Sequence, residues 1–256
     1  MTILGSSVVL ETQSLRKAFG GLVATNDVTF KLPAGARHAL IGPNGAGKTT
    51  FVNLLTGVLQ PTAGRILLQG EDITGLPSYK RVKRGLARTF QINQLFTELT
   101  PLQHIVLAIS QREDAATGWW RPVGTRRDLV DEAEALLHQL GLIDVRDRRT
   151  AEIAYGKQRL LEIAVALAGK PAVLLLDEPA AGVPETERHQ ILDVIAQLPE
   201  SVTLVLIEHD MQLVFRFAKT ISVLVNGGLF TEGPAAEIAR DPRVKKVYLG
   251  EELVDV

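Results

Sequence analysis

The segment Gly42-Pro43-Asn44-Gly45-Ala46-Gly47-Lys48-Thr49 places glycines, an ammonium and a hydroxyl in the pattern G-x-x-x-x-G-K-[ST]. That combination suits a polyphosphate. Glycines tolerate left-handed backbone and carry no Cβ, so successive N–H groups can wrap phosphate oxygens. The string follows the apolar run Ala39-Leu40-Ile41 and opens onto the apolar stretch Phe51 to Leu55. A strand turning into a helix there would set a helix N-terminus, with its favourable dipole, against the anion. Lys48 would reach the β- and γ-phosphates, and the Thr49 hydroxyl would ligate Mg²⁺.

A second string, Val173-Leu174-Leu175-Leu176-Asp177-Glu178-Pro179, ends an apolar run in two acids. At the C-terminal edge of a parallel sheet, carboxylates stand where such sheets bind ligands. Asp177 would hold Mg²⁺ through water, and Glu178 would polarise an attacking water. Taken alone, two acids after a strand more often cap a following helix, and the phosphate loop upstream reverses that reading.

The elements that must position these groups follow from apolar patterning. Ala39-Leu40-Ile41, Val173 to Leu176, Val202 to Ile207 and Ile221 to Val225 are apolar on both faces, broken only by Thr203 and Ser222, as strands covered by helices on both faces would be. Asp128 to Leu140 puts Leu129, Val130, Ala133, Leu136, Leu137 and Leu140 on one helical face. Strands alternating with helices predict an α/β fold with an open, mostly parallel sheet. Residues 8 to 32, with Gly20-Gly21 and the alternating Val28-Thr29-Phe30-Lys31-Leu32, read as antiparallel strands. Residues 92 to 155 read as a helical insert, interrupted at 111 to 127 by a polar loop carrying Trp119-Trp120. That tryptophan pair fits a partner contact or a self-packed loop.

Both motifs, their spacing and the intervening Ile153-Ala154-Tyr155-Gly156-Lys157-Gln158-Arg159 resemble ABC ATPases along essentially the whole chain. The resemblance implies a single domain over 1–256: a P-loop (RecA-like) core, an antiparallel β-subdomain, a helical subdomain near 92–155 and a helical tail near 235–256. It also implies ATP hydrolysis in a homodimer or heterodimer of two such subunits. The nucleotide-binding set would be Phe19, stacking on adenine, with Gly42, Pro43, Asn44, Gly45, Ala46, Gly47, Lys48, Thr49 and Thr50. From the opposite subunit, Ala154, Tyr155 and Gly156 would contact the γ-phosphate, since a glycine at a helix start leaves N–H groups free. Glu178, His209, Gln91 and Lys48 would be the catalytic residues, and Thr49, Gln91 and Asp177 would hold Mg²⁺. Phe19 on a strand could instead face a core.

The chain departs from the family pattern at three places. Ala154 replaces the signature serine and loses a hydroxyl, Lys157 replaces its glutamine and adds a cation, and Pro184 stands where the family has an aspartate. Narrower similarity comes from Gly85-Leu86-Ala87-Arg88-Thr89-Phe90-Gln91, from Glu178-Pro179-Ala180-Ala181-Gly182 and from Val247-Tyr248-Leu249-Gly250-Glu251. These strings resemble the LivG-like ATPases of branched-chain amino-acid importers. ATPases for urea, amides or lipopolysaccharide share much of this vocabulary, and a non-transport ABC ATPase is the alternative from another class. The importer resemblance implies integral membrane permease partners, an indirect periplasmic solute-binding protein and a place on the cytoplasmic face of the inner membrane.

Bulk composition agrees with these expectations. The 28 Lys and Arg balance 29 Asp and Glu, so no basic excess argues for nucleic acid. The absence of cysteine excludes disulfides and thiolate-bound metal. Met1 to Glu11 lacks the basic start and long apolar run of a signal peptide. Leu160 to Leu176, the densest apolar stretch, is split by Gly169 and Pro171, short of the roughly 20 apolar residues a membrane span needs.

Overall fold

The structure, a computed structural model, describes residues 7–89, 95–113 and 126–249. Two long strands, β1 (Val8–Phe19) and β2 (Leu22–Pro33), pair antiparallel and join β4 (Ala63–Leu68) and β5 (Glu71–Asp72) in a four-stranded sheet of order β2-β1-β4-β5. The second sheet has six strands. It is built from β3 (Arg37–Ile41), β6 (Leu86–Arg88), β7 (Val173–Asp177), β8 (Thr203–Ile207), β9 (Thr220–Val225) and β10 (Gly228–Pro234), in the order β10-β9-β3-β8-β7-β6. All neighbours in it are parallel except β10, which pairs antiparallel with β9 at the edge.

Each parallel strand sends alternate residues to different cores, which is why these strands are mostly apolar on both faces. Ile41, Leu174, Leu176, Leu204, Leu206 and Val223 face one core. It is closed by α3 (Pro101–Arg112), α4 (Arg127–Gln139), α5 (Tyr155–Ala168), α6 (Glu185–Ala196) and α7 (Met211–Phe217). Leu40, Val173, Leu175, Val205, Ile207 and Leu224 face the other. That core is filled by α1 (Lys48–Leu55) through Phe51, Val52, Leu54 and Leu55, and by the antiparallel sheet through Leu10, Phe30 and Ile66. Between β6 and β7 the described residues are helical and contain no strand, and α8 (Ala235–Ile238) and α9 (Pro242–Leu249) follow β10. Among the described residues no helix is long and apolar enough to cross a membrane.

Arginine forks join the pieces. Arg81, on α2 (Ser78–Lys83), is wholly buried. Its Nη1 donates to the Leu54 and Leu55 carbonyls at the end of α1, both at 2.6 Å, and its Nη2 to Thr74 O at 2.8 Å. The fork thus adds strong donors to carbonyls of the last helical turn. Arg112 grips Glu132 with both terminal nitrogens, at 2.8 and 2.9 Å, and donates to Ala168 O at 2.7 Å, tying α3, α4 and α5 together.

One polar ladder crosses the second sheet. His38 on β3 meets Ser222 Oγ on β9 at 2.8 Å, and the Ser222 hydroxyl donates to Glu232 on β10. The ring is buried edge-on to Phe30, and burial pushes its pKa down to about 4. The unfolded chain takes a proton near pH 6.5, whereas the folded chain resists until about pH 4. Stability present above pH 6.5 is therefore lost as pH falls through that window, at about 1.4 kcal/mol per pH unit. Urea titrations at pH 7 and pH 5 are expected to show this loss in the native protein and a shallower one in His38→Gln. Equal losses in the two proteins would show that His38 does not carry it.

Candidate functional site

The loop from Gly42 to Lys48 joins β3 to α1 where the two sheets meet. A Cβ on Gly42 would strike the Leu224 carbonyl of β9, and one on Gly47 would strike the Ala24 carbonyl of β2. Gly47 also has φ +95, in the left-handed region that favours glycine. The loop is braced from outside as well: Gly227 N donates to Ala46 O at 3.0 Å, and Asn26 N to Gly227 O at 2.8 Å. Lys48, the first residue of α1, turns its ammonium back onto the loop, donating to Gly42 O at 2.5 Å and Pro43 O at 3.0 Å. Burial lowers its pKa, while the carboxylates of Glu178 and Asp177 oppose that shift. Lys48 and the two acids therefore share one pocket of charge.

The acids do not cap a helix, since the next one, α6, begins at Glu185. Asp177 ends β7 with its carboxylate almost fully buried, and Oδ2 accepts from Arg88 Nη2 at 2.5 Å. Glu178 takes φ +45, a left-handed geometry that costs a residue with a side chain roughly 1–2 kcal/mol. Three hydrogen bonds hold it there. Its N donates to Ile207 O, and its carbonyl accepts from Ala181 N and Arg159 Nη2, each at 3.0 Å. The turn aims the side chain at His209, whose Nδ1 lies 3.2 Å from Glu178 Oε1. His209 follows β8, and its ring is mostly exposed. Glu208 before it is buried, which raises its pKa, and accepts from His209 N at 3.1 Å.

Phe19 is 47% exposed at the end of β1, so it is not a core residue. It pairs with Leu22 across the hairpin, with Lys17 Nζ 5.1 Å from its ring centre. The hairpin runs directly to Ala24, which abuts Gly47. Gln91 and the Trp119-Trp120 pair lie outside the described residues.

Ala154, Tyr155 and Gly156 open α5, one residue earlier than the sequence pattern suggests. Their neighbours belong to the loop after Glu178 and to α6. The Tyr155 ring covers Gly182, and the Glu187 carboxylate fills the space that a side chain on Gly156 would need. Lys157 pairs with Asp144, so its added charge is already matched within the chain. Sequence reasoning missed Arg159, buried one turn into α5. Its Nε donates to Pro179 O at 3.2 Å and its Nη2 to Glu178 O, so it links the start of α5 to the turn that carries Glu178.

Among the described residues no three His, Cys, Asp or Glu side chains cluster as a metal cage. Mg²⁺ needs no such cage, since it keeps waters and binds through one or two protein oxygens plus substrate phosphates. Asp177 and the exposed Thr49 are oxygen donors of this kind.

Comparisons with known proteins agree with this geometry. A family profile described as "ABC transporter" matches residues 25–181, and one described as "Branched-chain amino acid ATP-binding cassette transporter" matches 230–254. The high-affinity branched-chain amino acid transport ATP-binding protein BraF of Pseudomonas aeruginosa is 40% identical over 253 residues, covering 96% of this chain and 99% of that protein. Its counterpart LivG of Escherichia coli K12 is 38% identical with the same coverage. An ABC-transporter ATP-binding cassette solved in its ADP conformation superposes with a TM-score of 0.82 at 29% identity, covering 96% of this chain and all of that one. A nucleotide-free cassette gives 0.81 at 30%, with the same coverage.

The seating of the loop generates a test at Gly47. Gly47→Ala would add a left-handed cost of about 1–2 kcal/mol and a collision with Ala24. Fluorescent-nucleotide titration should show affinity reduced at least tenfold in a protein that still unfolds cooperatively. Native affinity in Gly47→Ala would mean that the loop does not need this seating.

Proposed function

The chain belongs to the ABC transporter family of ATP-binding cassettes, and on that premise we propose that it hydrolyses ATP to drive import of a branched-chain or related amino acid. The observation that carries the chemistry is the Glu178 carboxylate, held by a left-handed turn between Lys48 and His209. The cargo assignment rests on the relatives, whose names describe branched-chain amino-acid transport, and on the matching C-terminal segment. On this reading the chain sits against permease subunits at the cytoplasmic face of the inner membrane, with 92–155 as its helical subdomain.

The residues divide the work as follows. Backbone N–H groups from Gly42 to Thr50 hold the phosphates, and Phe19 stacks on the adenine. Lys48 exchanges the Gly42 and Pro43 carbonyls for the β- and γ-phosphates, a stronger partnership for a partly desolvated ammonium. Thr49, Asp177 and Gln91 hold Mg²⁺, which supplies charge neutralisation at the phosphates. Glu178 orients the attacking water and accepts its proton, and His209 steadies the γ-phosphate. Ala154, Tyr155 and Gly156 of a second subunit close the site, the backbone N–H groups standing in for the hydroxyl that Ala154 lacks.

Glu178→Gln keeps size and hydrogen-bonding reach while removing the charge. Turnover should fall at least about a hundredfold, the scale for losing a general base. ATP-Mg²⁺ should then hold the variant as a dimer in light scattering, because the closed state no longer discharges. Unchanged turnover would remove Glu178 from the chemistry. For the cargo, cells lacking this chain should lose uptake of labelled leucine, isoleucine or valine, regained with the native chain and not with Glu178→Gln. Normal uptake of all three in the deleted cells would remove the cargo assignment.

A further inference from the structure

Arg88 lies on β6, within the string Gly85 to Gln91 but with no role assigned above, and it bonds directly to the proposed metal carboxylate. Its Nη2 donates to Asp177 Oδ2 at 2.5 Å, and its Nη1 donates to Asn53 Oδ1 at 2.7 Å. The Arg88 and Asp177 side chains are only 10% and 6% exposed. Asn53 stands on α1 four residues after Thr49, on the same helical face. One planar guanidinium thus bridges the two elements that carry the proposed metal donors, α1 and β7. The end of β6 is tied to β7 twice more: Thr89 N donates to Leu175 O at 2.9 Å, and Thr89 Oγ1 accepts from Asp177 N at 3.4 Å.

We propose that Arg88 is a positioning residue for the metal. Its fork pins Oδ2 of Asp177, leaves Oδ1 to face the metal's water, and fixes the spacing between Asp177 and Thr49 through Asn53. Partners that orient a metal-binding carboxylate are typically worth 10- to 100-fold in metal affinity. Pure charge argues the opposite way, because a guanidinium near Asp177 repels a cation. The two readings separate at Arg88→Lys, which keeps the charge and loses the fork that spans two partners.

The inference rests on the proposed ATP-Mg²⁺ site, and the experiment separates their failures. Mn²⁺ serves as the probe, titrated by its EPR signal into protein saturated with a non-hydrolysable ATP analogue, so no turnover is needed. Analogue affinity is measured separately in EDTA. Arg88→Lys and Arg88→Ala should bind Mn²⁺ at least about tenfold more weakly, with analogue affinity in EDTA within about twofold of native. Asn53→Ala, which changes no charge, should lose Mn²⁺ affinity several-fold. Native or tighter Mn²⁺ binding in a folded Arg88→Lys protein overturns the proposal, as does an equal loss of analogue affinity in EDTA. If the Arg88 variants do not fold, Asn53→Ala decides, and native Mn²⁺ affinity there overturns it. Failure of the native protein to bind Mn²⁺ with the analogue would overturn the site reading itself.

Discussion

The backbone from Gly42 to Lys48 runs between two other backbones, and that crowding organises the rest of the molecule. On one side is the Leu224 carbonyl of the parallel sheet, on the other the Ala24 carbonyl of the antiparallel sheet. Neither sheet alone could seat the loop. The β1–β2 hairpin therefore has to lie against the end of β9, which in turn leaves Phe19 at the rim and α1 wedged between the layers. Phe51 and Leu54 of α1 share a core with Phe30 and Leu10 of the antiparallel sheet. The loop geometry and the two-sheet packing are thus one solution.

Guanidinium groups carry much of the cross-bracing, because a planar fork can answer several carbonyls at once. Arg81 closes the end of α1, Arg159 holds the turn at Glu178, and Arg37 donates to the Leu198, Pro199 and Val202 carbonyls beyond α6. Each sits where a helix or strand stops and its last carbonyls can take a further donor. Around the phosphate loop the charges are also balanced. Lys48 and Arg88 stand against Asp177 and Glu178, which lets four ionised groups share a partly buried volume where a lone charge would be costly.

The parallel strands and the phosphate loop are legible in the sequence because their causes are local. A strand buried on both faces is mostly apolar, and a left-handed residue pressed against backbone, as at Gly47, requires glycine. Elements with weaker local signatures are not legible. β6 has three residues, and β10 is half exposed and bounded by glycine and proline. The start of α3 carries a capping box, Thr100 with Gln103, and Pro101 in the first turn, a signal strong enough to have placed it. Arg88 and Arg159 could not have been found this way, since a lone arginine shows nothing until the fold brings its partners together. Lys157 shows the converse. The family resemblance implies an added cation near the phosphate site, but Asp144, thirteen residues earlier, matches it.

Pro184 illustrates how a departure from the family pattern can be absorbed. An aspartate there would act through its side chain, which proline cannot replace. Proline instead fixes φ, and Pro184 leads directly into α6, whose Glu187 packs beside Gly156. Behind it, Val183 N donates to Ala180 O and Ala181 N to Glu178 O. Tyr155 lies over Gly182 in the same loop. The segment from Glu178 to Glu187 is internally hydrogen-bonded and touches the start of α5 at two points. On the proposed reading, Glu178 serves the site in its own chain while Gly156 serves the site across the dimer, and this segment is the short stretch of chain that packs the two against each other.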